Sequence, residues 1–131
     1  MAVRPGERRT RAAVIGVGGR MIVEVRKYTI KPGLRAKFIE FFETRSVPAQ
    51  REVGMEILGP LLDVENPDVF VFLRGFPSLE ERDRMKKEFY EGELWTRELE
   101  AIAMPMLERY EVILTETSSQ FVTFLTGQPT N

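Results

Sequence analysis

The chain of 131 residues contains no cysteine and no histidine. Without cysteine there is no disulfide, no thiolate nucleophile, no iron–sulfur cluster and no cysteine zinc site. Without histidine, the Ser-His-Asp arrangement goes, as do the usual zinc and non-haem iron ligand sets and a histidine-ligated haem. No apolar run approaches the ~20 residues that a membrane-crossing helix needs. Chemistry is left to carboxylates, lysine, tyrosine, arginine and methionine.

What is present describes one globular domain, with 43% hydrophobic and 30% charged residues. The net charge is −1, unevenly spread. Residues 1–20 carry five arginines against one glutamate, whereas the remainder holds 14 basic and 19 acidic residues. An acidic body argues against a nucleic-acid surface, which needs clustered lysine and arginine. The polar, basic residues 1–20 read as a disordered or appended extension. Ala12–Val17 is short for a secretory apolar segment and no cleavage pattern follows it, so the protein is expected to be cytoplasmic, with Met21 the natural first residue of the domain.

The stretch "AAVIGVGGRMIVEVRKYTIKPG" raises and dismisses a nucleotide fingerprint. Gly16 and Gly18 are followed by Met21 where a third glycine belongs, and by an alternating β-branched strand where the phosphate-holding helix should begin. Neither metal, haem nor nicotinamide is expected. From Met21 the chain reads as strand 21–30, a Pro32-Gly33 turn, and a helix with Leu34, Phe38, Phe41 and Phe42 on one face. Pro48 is expected to kink or end this helix and Gly54 to close the segment. Strands 55–64 and 68–76 follow, joined by "ENPD". Ser78 and Glu81 then form a capping box. After Gly92 a further helix places Trp95, Leu99, Ile102 and Met106 on one stripe, and strand 108–117 ends the domain. The order βαββαβ predicts an α+β, ferredoxin-like fold, a four-stranded antiparallel sheet with helices on one face. The tail 118–131, with Phe121, Val122, Phe124 and Leu125, is expected to dock as an arm laid across a partner subunit.

"VEVRKYTIKPG", "VFLRGFPSLEER" and "FYEGELW" together resemble the NIPSNAP family of the dimeric α+β barrel superfamily. The resemblance rests on Glu24, Arg26, Tyr28, Lys31, Pro32 and Gly33 in the first strand and turn, and on Leu73, Arg74, Phe76 and Ser78 later. It spans about residues 21–117. It implies a homodimer in which two four-stranded sheets close into a barrel. Superfamily relatives include cofactor-free oxygenases and isomerases, and haem-binding branches that use a histidine ligand missing here. The family name brings no general reaction with it.

Alternation divides the strands into two kinds of face. Val23, Val25, Val69, Val71 and Leu73 make smooth aliphatic faces, expected to receive the helices. Glu24, Arg26, Tyr28, Phe70, Phe72, Arg74 and Phe76 make the opposite face, expected to be covered by a second subunit. The candidate ligand-binding residues are Arg26, Tyr28, Phe72, Arg74 and Trp95. Arg74 would anchor an anionic or carbonyl group. The plainer reading of Arg26 and Glu24 is an ion pair at the barrel lining, of Tyr28 a packed ring, and of Trp95 a core residue. Met104 and Met106 are flexible fillers. Two functions stay open. One is a non-catalytic module binding a small apolar or aromatic ligand. The other is a cofactor-free oxygenase or isomerase in which Tyr28 or Glu24 handles a proton. A glutamate beside Arg26 would be a weakened base, which favours the first.

Overall fold

The computed structural model describes residues 20–118 and Phe121. The expected N-terminal extension and C-terminal arm therefore lie, apart from Arg20, Ser118 and Phe121, outside the described residues. Strand β1, Ile22–Ile30, is built on β-branched residues and ends at a turn closed by the Leu34 amide donating to the Lys31 carbonyl at 3.0 Å. Proline sits at the second position of that turn. Gly33 takes the third with φ +80°, a backbone setting that glycine adopts without strain.

The helix that follows does not stop at Pro48. Helix α1, Arg35–Phe41, passes into a π-helical turn, Phe42–Ser46, and resumes as α2, Val47–Glu52. In a regular helix the Pro48 ring would meet the carbonyl four residues back and would contribute no N–H. The wider turn immediately before it, in which the Val47 amide reaches back to the Phe42 carbonyl, accommodates the proline and lets the helix run another turn. Gly54, φ +105°, then ends it as expected: its amide donates to the Arg51 carbonyl and that of Met55 to the Gln50 carbonyl.

Strands β2, Glu56–Leu62, and β3, Val69–Phe76, form the expected hairpin. Helix α3, Leu79–Tyr90, begins at Ser78, whose hydroxyl accepts from the Glu81 amide at 3.1 Å. A second π-helical turn, Trp95–Leu99, leads into α4, Glu100–Ala103, a 3₁₀ turn over Met104–Met106, and β4, Leu107–Glu116. The sheet is antiparallel throughout in the order β2-β3-β1-β4, with Glu24 opposite Arg74, Arg26 opposite Phe72 and Tyr28 opposite Phe70. This is the α+β, ferredoxin-like arrangement that the element order predicts.

Which face the helices cover is the reverse of the expectation. The aromatic and charged face lies under them: Phe70, Phe72 and Phe76 are buried against Phe38, Phe41, Phe42, Met85 and Phe89. The Phe42 ring stands 4.8 Å from those of both Phe70 and Phe72. Burying each such ring stabilises the fold by roughly 1.5–3 kcal/mol, so the aromatics claim the covered side. The charges can go with them because the helices bring partners, Gln50 from α2 and Arg82, Lys86 and Tyr90 from α3. The aliphatic face is open along its middle row, while Val69 is buried and Val23 is buried with Met21 against Leu73 and Phe121. Leu58, Leu73, Val25 and Ile113 are in register across all four strands, and Ile113 is 63% exposed. The helix layer also stops short of β4, whose Tyr110, Val112 and Leu114 share the helix-side face yet remain exposed.

Candidate functional site

At the heart of the covered face is a carboxylate. Glu24 is fully buried, and β1 places it between Arg26 on its own strand and Arg74 opposite on β3. Its Oε1 accepts from Arg26 Nη1 and Arg74 Nε, each at 2.8 Å. Its Oε2 accepts from Arg82 Nε at 2.6 Å and from Lys86 Nζ at 3.4 Å, both presented by one face of α3. Burial by itself would raise the Glu24 carboxyl. Arg74 and Arg26, the Arg82 hydrogen bond and Lys86 outweigh it and hold the group down at about 2. Glu24 is thus ionised and has both oxygens engaged.

Arg74 is the other buried pole. Its Nη1 donates to Gln50 Oε1 at 2.7 Å and to the Tyr90 hydroxyl at 2.8 Å. Its guanidinium faces the Tyr90 ring at 5.5 Å. Arg26 lies nearer the edge of the layer, its guanidinium 5.6–5.9 Å from the rings of Tyr110, Tyr28 and Phe72. Burial disfavours its charge, but Tyr28, Tyr90 and Glu24 push its affinity for the proton up beyond the ordinary arginine value. Burial also raises the Tyr28 hydroxyl, despite Arg26 beside it, so Tyr28 is a protonated phenol at neutral pH.

Between this cluster and the helices is a cavity of about 320 Å³. Arg26, Tyr28, Phe72 and Trp95, four of the five expected site residues, line it. Arg74, the expected anchor, does not. It stands behind the wall, fully buried, as the structural partner of Glu24, and reaches the cavity only through Gln50 and Tyr90. Of the two methionines in "AMPM", Met104 lines the cavity, whereas Met106 packs in the core.

Sequence reasoning passed over several lining residues. Ser46 and Gln50 are four apart on the helix that carries Phe42, and Lys86 and Tyr90 four apart on α3. Each pair is a polar addition to an apolar face, a spacing visible in the sequence. Tyr110 follows from its register opposite Tyr28. Both π-helical turns contribute to the wall, the first through Phe42 and Ser46 and the second through Trp95. Every tyrosine of the chain, and its single tryptophan, faces this one cavity. Among the described residues no group of carboxylates is placed to hold a metal ion, and no helix is long and apolar enough to cross a membrane.

Comparison with known proteins agrees with this architecture. A family model described as NIPSNAP matches residues 23–120. No curated protein matches the chain. Among solved structures, an uncharacterised NIPSNAP-like domain protein from Burkholderia xenovorans is similar at 27% identity and a TM-score of 0.68, over 76% of this chain and 86% of that one. A NIPSNAP family protein of unknown function from Agrobacterium tumefaciens is similar at 20% identity and a TM-score of 0.68, over 80% and 95%. A candidate antibiotic biosynthesis monooxygenase from Nitrosomonas europaea shares the fold at 15% identity and a TM-score of 0.58, over 74% and 89%.

Proposed function

The chain belongs to the NIPSNAP family, and on that footing we propose that it is a binding protein for a small, flat, apolar or aromatic molecule held between the helices and the sheet. The observation that carries this reading is the convergence of Tyr28, Tyr90, Tyr110 and Trp95 on a single cavity. Aromatic rings offer rigid, broad contact surface to a planar ligand, and a concave, largely apolar site with a few polar groups is the usual form of a small-molecule pocket. The two π-helical turns in its wall are a further support, since such turns gather at functional sites.

Binding is favoured over catalysis by the state of the two groups that would have to move a proton. Glu24 is pinned by four cations and is a poor base, and Tyr28 holds its proton firmly. The cofactor-free oxygenase or isomerase alternative would need one of them. The reading includes a homodimer. The resemblance implies paired sheets, and the stripe Leu58–Leu73–Val25–Ile113 supplies an apolar surface on the open face for a second copy.

Trp95 makes the test direct, because its emission is the only indole signal of the chain. Titration with 2-naphthoate and with 2-naphthamide should quench Trp95 saturably, at one molecule per protomer, for at least one of the two. Replacing the cavity-lining Ala103 with leucine should weaken that binding by filling the space. An emission that neither compound changes saturably overturns the reading.

A further inference from the structure

The polar groups at the inner end of the cavity are unbalanced in one direction. Protein acceptors there are engaged, and what remains is donors and positive charge. Both Glu24 oxygens are taken, as described. Gln50 Oε1 and the Tyr90 oxygen accept from Arg74, and the Ser46 oxygen accepts from Gln50 Nε2 at 2.8 Å. A hydroxyl that accepts still has its own proton to give, so Ser46 and Tyr90, both lining the cavity, are left as donors. Lys86 Nζ holds Glu24 only at 3.4 Å, and Arg26 Nε and Nη2 hold the Tyr28 oxygen only at 3.4 and 3.3 Å. Contacts this long yield readily to a charged acceptor.

Charge points the same way. One carboxylate faces four cations: Arg26, Arg74, Arg82 and Lys86. Of the carboxylates that could redress this, Asp83 meets Arg82 at 3.7 Å from an exposed position, and Glu100 lies on the cavity wall with its side chain exposed. Arg74 stands behind the wall, fully buried, and its Nη2 has no hydrogen-bond partner among the described residues; it adds to the positive field at the cavity without touching what the cavity holds. Buried cationic groups without full compensation are costly, and a bound anion would relieve that cost.

We infer that the cavity selects an organic anion: a planar apolar body carrying one carboxylate, which is received at the Arg26–Lys86 end beside the Ser46 and Tyr90 hydroxyls. A carboxylate supplies four lone-pair sites to a place where donors and cations outnumber acceptors, and its plane suits a guanidinium fork. The aromatic walls take the body, so this assignment rests on the pocket reading above and names the class of ligand.

The two naphthalene probes separate the ideas, since they share a shape and differ in charge. 2-Naphthoate is expected to bind about 10- to 100-fold tighter than 2-naphthamide, the advantage of charged over neutral hydrogen bonding. Lys86→Gln, at a partly exposed helix position, should lower naphthoate affinity about tenfold and leave naphthamide unchanged. Arg26→Gln should do the same, with folding checked by circular dichroism. Equal affinity for the two probes overturns the charge selection while leaving the pocket intact. Tight naphthoate binding that survives both substitutions overturns it as well, because the anion would then sit elsewhere. Quenching by neither probe removes the pocket itself.

Discussion

The two faces of one sheet have been given opposite chemistries. On the covered face every strand but the last contributes aromatic, aliphatic or ionised residues that are buried: Ile57, Phe70, Phe72, Arg74, Glu24 and Arg26. On the open face the register places Leu58, Leu73, Val25 and Ile113 in a row with no charged group among them. Polarity is therefore a poor guide to which side is inside. A face that mixes phenylalanine with arginine is the interior when the layer above supplies acceptors and counter-charges. A face with an aliphatic row at its centre, flanked by Lys27 and Glu111, can be the one left for a partner.

Removing a buried charge should show the contrast at its largest. Arg74→Ala deletes one of the two arginines on Glu24 Oε1 and also empties volume behind the cavity. Breaking a buried pair in this way should cost about 3–5 kcal/mol, read from urea unfolding, with loss near the upper end or beyond because the site is fully enclosed. A loss below about 1 kcal/mol would show that solvent reaches the network and that the covered face is less sealed than described.

Phe72→Ala should follow closely, at about 3–5 kcal/mol, as a large ring lost from a packed interior. A charge at Phe72 would for the same reason unfold the protein and would report nothing about association. This residue belongs beneath the helices and not in a subunit interface.

Acid should dissect the ionic part without mutation. Glu24 titrates at about 2 in the folded protein against an ordinary 4.5, so its contribution is fully present above that ordinary value and is lost as pH falls towards 2. A depression of this size corresponds to on the order of 3 kcal/mol. Denaturant midpoints measured between pH 6 and pH 2.5 should fall accordingly, and Glu24→Gln should flatten most of that dependence.

The smallest change in folding stability is expected one residue away from Phe72. Leu73 points to the open face and is only half-buried, so Leu73→Glu should cost about 1 kcal/mol or less in the folded chain. Its effect should appear in sedimentation, where a charge in the aliphatic row is expected to shift the proposed dimer to monomer. A parent protein that sediments as a monomer at high concentration would sink the paired-sheet reading, and the open face would need another occupant.

Much of this was legible in the residues. Alternation and β-branching located the strands, Pro32-Gly33 and "ENPD" the turns, and Ser78 the start of α3, because these are local signals with local causes. Alternation also sorted the first and third strands into their two faces. It could not say which was covered, because that depends on Gln50, Arg82, Lys86 and Tyr90, which meet Arg74 or Glu24 from 16 to 62 residues away. The same distance hid the true position of Arg74. Its neighbours on the strand suggest a pocket wall, and only the helices show it to be enclosed. At Pro48, expected to kink or end the helix, only the ending fails, and for a different reason. A proline inside a helical pattern normally ends the helix, and nothing local announces that one wider turn will absorb it.

The same wide turn makes the chain sensitive to length in a way that no point substitution tests. Phe42–Ser46 carries one more residue than a regular turn, so the residues on either side of it are out of phase with an ideal helix by roughly 100°, one residue's rotation. Shortening the chain by one residue there would remove the wide turn that accommodates Pro48, and would swing Val47 and Gln50 around the axis away from the sheet. The Gln50 amide would then leave Arg74, and the helix would end before Gly54 could close it. Insertions and deletions at 42–46 should accordingly be far less tolerated than in the hairpin loop between β2 and β3. The helix is counted, residue by residue, as well as packed.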